Sequence, residues 1–153
     1  MESRKRRVWS VVVALGLLLW LASDGAGASA EGSREMLAEL TRSSLAPVKA
    51  RADPITGFVT TLLGRFEPDP AERETEAAAR SFLARHADAF GLRPDLRDLA
   101  VARRHRDRGG PVLVFEQTHE GIPVFDGVVV VGFDPEGSIL HVESAYVPDI
   151  EVP

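Results

Sequence analysis

The side chains best suited to metal or acid–base chemistry here are four histidines and 23 carboxylates; cysteine is absent. His119-Glu120 opens like the zinc-protease pattern H-E-x-x-H, in which two histidines one helical turn apart hold the metal. Pro123 stands where the second histidine is needed, and the segment reads as strand and turn rather than helix. His141-Val142-Glu143 has the histidine-x-glutamate of zinc deaminases without the paired cysteines that complete such a site. On a strand, His141 and Glu143 share the face opposite Leu140, Val142 and Tyr146, which makes a solvated outer face. His86 sits at the edge of an apolar helix stripe and His105 in a basic loop, neither with a partner at ligand spacing. Gly-x-Ser-x-Gly and a glycine-rich phosphate loop are both missing. The expectation is a chain with no catalytic set, no metal site and no cofactor.

The first thirty residues stand apart from the rest. Arg4, Lys5, Arg6 and Arg7 are followed by an apolar run from Val8 to Ala22 and then by small residues ending Ala28-Ser29-Ala30. That order is a secretory signal peptide over residues 1–30, cleaved after Ala30. The run is about 15 residues, short of the ~20 that cross a bilayer, so no lasting membrane insertion is expected. Arg6-Arg7 fits a twin-arginine signal poorly through Val8-Trp9. A secreted or periplasmic location follows. Without residues 1–30, 14 basic residues face 21 acidic ones, a net charge of −7. A domain this acidic makes a poor partner for nucleic acid or for an anionic membrane.

The elements that would carry a site lie between residues 53 and 150. Glu31 to Asp53 reads as a flexible arm or short helix, with Met36, Leu37 and Leu40 on one side of Ser33–Leu45. Ile55 to Phe66 reads as a strand or a bent pair of strands. A helix follows, with Asp69 as its cap, Pro70 in its first turn, and Ala79, Phe82, Leu83, His86 and Phe90 on one face until Gly91. Beyond Asp95 the period turns to alternation. Leu99–His105, Val112–Thr118, Ile122–Phe133 and Ile139–Val147 read as strands, joined at Arg106–Gly110, Thr118–Gly121 and Asp134–Gly137. Asp126-Gly127 reads as a bulge within one long strand rather than a hairpin turn. The fold class is α+β: one main helix packed across an antiparallel meander.

The centre of that meander is Phe115-Glu116-Gln117-Thr118-His119-Glu120-Gly121-Ile122-Pro123-Val124-Phe125. Phe115, Val124 and Phe125 have the character of core residues, and Gln117 that of a buried amide joining neighbouring backbone. Gly121 and Pro123 set the geometry of the connection. Alternatively, Val124, Phe125, Val128 and Val130 near a sheet edge offer a partner an apolar patch.

Together with Glu76–Leu83, Phe90-Gly91-Leu92 and Asp134–Gly137, this stretch resembles the propeptide motif of fungalysin- and thermolysin-type metalloproteases. In that family an alanine-x-x-phenylalanine-leucine helix precedes phenylalanine-x-glutamine-x-x-x-glycine-x-proline-valine-phenylalanine. The resemblance spans roughly residues 53–150. It implies a prosegment that binds a zinc metalloprotease catalytic domain, in cis or in trans, as folding assistant and inhibitor. The second propeptide module and the H-E-x-x-H domain that normally follow are not in this sequence, so the protease activity does not carry over. Two other classes stay open: an exported adaptor with an unrelated partner, and a small metal-dependent enzyme using His119 or His141.

Overall fold

The computed structural model describes residues 29–72 and 74–150, and the expected signal peptide lies almost wholly outside them. The elements run α1 (Ser29–Ser43), β1 (Lys49–Ala52), β2 (Val59–Phe66), α2 (Thr75–Arg85), α3 (Ala87–Phe90), β3 (Leu99–Asp107), β4 (Gly110–His119), β5 (Ile122–Phe133) and β6 (Ile139–Ser144). The six strands form one antiparallel sheet in the order β1-β2-β6-β5-β4-β3. Strands β3 to β6 are the meander. The β1–β2 hairpin joins its far side by pairing β2 with β6, Leu62 opposite Val142.

Alternation decides the two faces of the sheet. Leu62, Leu99, Leu113, Phe115, Val129, Val131 and Val142 point into the core. Ala78, Ala79, Phe82, Leu83, Ala87 and Phe90 meet them from the helices. The opposite face carries Val114, Val128, Val130, His141 and Glu143, half-buried or exposed. The α+β class is thus as expected, with three helices in place of one.

Two expectations need correcting, and one open alternative is decided. The helix does not start at Asp69. That carboxylate accepts the backbone N–H of Ala71 at 2.9 Å and the Asp69 carbonyl accepts that of Glu72, closing a separate turn. A short side chain that caps its own turn competes with helix propagation, and α2 begins at Thr75 with no side-chain cap. The strand expected from Ile55 begins only at Val59: Ile55 lies in a turn held by Asp53, whose Oδ1 accepts the N–H groups of Ile55 and Thr56 at 2.9 and 2.8 Å. Its side chain is 92% exposed. Of the two readings of Glu31 to Asp53, flexible arm or short helix, the helix is the one present, as α1, and β1 follows it. Leu40 of α1 is fully buried, Met36 and Leu37 pack against the core, and β1 pairs with β2.

The helical layer breaks at His86, which leaves helical geometry at φ −114°. Its ring packs against Phe82 at 4.7 Å between centroids and is 7% exposed. Gly91 ends α3 in the left-handed region, as its place after Phe90 predicts.

Candidate functional site

The β4–β5 hairpin positions Phe115, Gln117, Gly121, Pro123, Val124 and Phe125. Its turn is Glu120-Gly121, both at positive φ (52° and 82°), the two-residue turn whose twist matches that of paired strands. His119 then pairs with Ile122 and Thr118 with Pro123. Further along, Glu116 pairs with Val128. Between these pairs β4 supplies one residue, Gln117, and β5 supplies four, Val124 to Gly127. The excess is absorbed in a wide bulge with Asp126 at φ 57°. The bulge expected at Asp126-Gly127 is present and is larger than a single added residue.

Gln117 holds the bulge from inside. It is 2% exposed, and its side chain runs directly over Gly127. A Cβ at that glycine would stand 2.9 Å from Gln117 Oε1 and 3.0 Å from its Cβ. The amide then closes on the C-terminal segment: Nε2 donates to the Val147 carbonyl at 2.8 Å, and Oε1 accepts the Val147 N–H at 2.9 Å. Both polar ends of the buried amide are satisfied. The same segment donates from Ala145 N to the Val128 carbonyl at 2.8 Å. Tyr146 of this segment donates its hydroxyl to Asp98 Oδ2 at 2.6 Å. Burial, then this bond to a carboxylate, raises the Tyr146 pKa well above the ordinary phenol value. The Asp98 carbonyl accepts the Thr118 N–H at 2.7 Å, tying the foot of β3 to β4.

Phe115 is fully buried beneath Arg80 of α2, whose guanidinium carbon lies 5.2 Å from the ring centroid. Arg80 also donates from Nε to Glu76 at 2.9 Å and from Nη2 to the Leu99 carbonyl at 3.1 Å. It thereby covers part of the outer edge of β3. Arg104 closes on the other oxygen of Glu76. Hydrogen bonding from Arg80, then from Arg104, holds the Glu76 carboxyl below its ordinary range.

The six sequence candidates therefore divide. Phe115 and Gln117 lie in the core, while Gly121 makes the turn. Pro123 and Phe125 are on the surface, and Val124 is half-buried. Core packing fails for Phe125, which is 90% exposed, because the bulge interrupts the alternation that would turn it inward. Sequence reasoning missed Arg80, Asp98, Tyr146 and Val147. Only Tyr146, a lone tyrosine after the last strand, left a signal.

The histidines stay apart. His119 ends β4, His105 lies on β3, His86 packs on Phe82, and His141 lies across Gly132 of β5. Among the described residues no group of three or more His, Cys, Asp or Glu side chains is placed to hold a metal ion. No helix among them is long and apolar enough to cross a membrane. A cleft of about 330 Å³ lies beside Asp69, Glu72, Pro111, Phe133 and Glu136. Another, of about 450 Å³, lies between α1 and His86. Neither reaches Gln117 or the bulge.

Residues 98–146 match the family described as Fungalysin/Thermolysin Propeptide Motif. The match takes in β3 to β6, and its two end residues are the hydrogen-bonded pair Asp98 and Tyr146. Strand β2 and helix α2, which the wider resemblance included, lie outside it. No relative among curated proteins matches the chain. Among solved structures the chain is similar to the Bacillus megaterium YpeB C-terminal domain, at 15% identity and a TM-score of 0.43 over 85% of this chain and 70% of that one.

Proposed function

We propose that this chain is an exported propeptide-like module that binds the catalytic domain of a thermolysin- or fungalysin-type zinc metalloprotease, assisting its folding and restraining its activity. The observation that carries this reading is the propeptide motif over residues 98–146. Prosegments of this kind act by binding, so their chemistry is that of a surface: sheet edges, exposed apolar side chains and local charge. The hairpin tip has the last two, with Ile122 and Phe125 exposed beside Glu120 and Asp126, while the sheet's edges are β1 and β3. The module itself contributes no bond-breaking group in this reading, and the zinc belongs to the partner.

Export rests on the Arg4–Arg7 cluster and the apolar run of the first thirty residues. Outside the cytosol a chain without cysteine has only its core and its hydrogen bonds to hold it folded. The buried Gln117–Val147 closure is one such bond pair.

The test is a refolding experiment. A denatured thermolysin-type catalytic domain is diluted into buffer with and without this chain, and peptidase activity is followed over time. A raised yield of folded protease, with activity held down while the chain stays intact, is the expected result. If the chain changes neither yield nor rate at tens of micromolar, the reading is wrong and an exported adaptor for another partner takes its place.

A further inference from the structure

The free end of the β4–β5 hairpin is built so that its apolar side chains stay in water. Ile122 is 71% exposed and Phe125 90%, with Pro123 exposed between them. Burying a phenylalanine ring is favourable, and that gain is left unrealised in the free molecule. The ring is not there by looseness. Four residues of β5 bulge opposite Gln117 alone, and Asp126 holds a positive φ that non-glycine residues seldom adopt. The amide of Gln117 locks the bulge to Val147 from the buried side. An aromatic on a fixed mount loses little further freedom on docking, which is the character of an interface anchor.

The charged residues of the hairpin tip, between Thr118 and Val128, include two acidic side chains and no lysine or arginine. Glu120 and Asp126 are both exposed, one in the turn and one next to Phe125. An apolar projection with an acidic margin is complementary to an apolar pocket with a basic one.

We infer that Phe125, flanked by Ile122 and Pro123, is the anchor that docks this module into an apolar pocket rimmed by basic side chains on the protease catalytic domain. The inference rests on the propeptide reading and specifies which residues make the contact. Docking buries the Phe125 ring, and Asp126 and Glu120 meet the cations at the pocket's mouth.

The experiment compares the full chain with Phe125→Ser, Phe125→Trp and Asp126→Asn in the same refolding and inhibition assay on a thermolysin-type catalytic domain. Asparagine tolerates positive φ, so Asp126→Asn removes the charge and keeps the bulge. Phe125→Ser is expected to lose about tenfold or more in potency with an unchanged melting temperature, and Phe125→Trp to retain most of it. Asp126→Asn is expected to lose potency a few-fold at low salt and little at high salt. If Phe125→Ser matches the wild type, the anchor is wrong and the propeptide reading stands. A Phe125→Ser chain that melts several degrees lower would also overturn it, because the ring would then be structural. A wild-type chain without effect on the protease overturns both.

Discussion

The imidazole of His141 on β6 covers the backbone of Gly132 on β5, its paired residue. A Cβ at position 132 would stand only 1.9 Å from His141 Cε1. The ring takes the space a side chain would fill and covers a stretch of strand that glycine leaves bare. Gly132→Ala therefore forces the ring aside. A loss of about 1–2 kcal/mol in urea unfolding is expected. Adding His141→Ala to that variant should cost less than His141→Ala costs alone. Strict additivity of the two would show that the ring and the glycine are independent.

Gln117 offers a second test. Leucine in its place keeps the volume and removes both hydrogen bonds to Val147, leaving a half-buried N–H and C=O without that partner. Gln117→Leu should cost about 2–3 kcal/mol, with faster hydrogen exchange at Val147 and at Tyr146. Unchanged protection at Val147 would mean that the segment is held by Tyr146 and Asp98 instead.

Stability should respond to pH through His86. Burial, and then the nearby Arg85, lowers its pKa below the ordinary 6.5, with Glu39 acting in the opposite sense. The folded state thus takes up the proton less readily than the unfolded chain. Its contribution is complete above pH 6.5 and declines as the pH falls from there toward the depressed folded value. Glu76, also lowered, adds a loss that begins only below its ordinary 4.5. Thermal melts between pH 8 and 5 should fall for the wild type and stay nearly level for His86→Gln. Equal slopes would place the titrating group elsewhere.

Leu40 is the buried tie of α1. Leu40→Ala should lower stability by about 2–4 kcal/mol and release the amides of 35–43 to rapid exchange. Rapid exchange of those amides in the wild type would show that α1 is not held by the core.

The parts of the fold legible in the sequence are those fixed by neighbours along the chain. Ala79, Phe82, Leu83, His86 and Phe90 share a helical face because spacing alone puts them there. The turns at Thr118–Gly121 and Asp134–Gly137 follow from local backbone chemistry, with Ser138 donating to Asp134 Oδ1 at 2.7 Å in the latter. Strand β1 was illegible because Lys49, Ala50, Arg51 and Ala52 are all exposed and show no apolar alternation. Only pairing with Leu62 and Leu63 makes them a strand. The surface position of Phe125 was hidden for a related reason. In sequence it continues an apolar run from Ile122, and the bulge that turns it outward is set by Gln117 and Val147, 30 residues apart.

The sheet order has a consequence for how the chain matures. Strand β6, the last of the six in chain order, lies between β2 and β5, so Leu62 meets Val142 only after about 80 intervening residues have appeared. Until then the β1–β2 hairpin has no sheet to join, and β5 presents an open edge. Contacts this distant in sequence slow folding. A chain emerging from its N-terminus therefore keeps the two parts of this sheet separate until β6 arrives to join them.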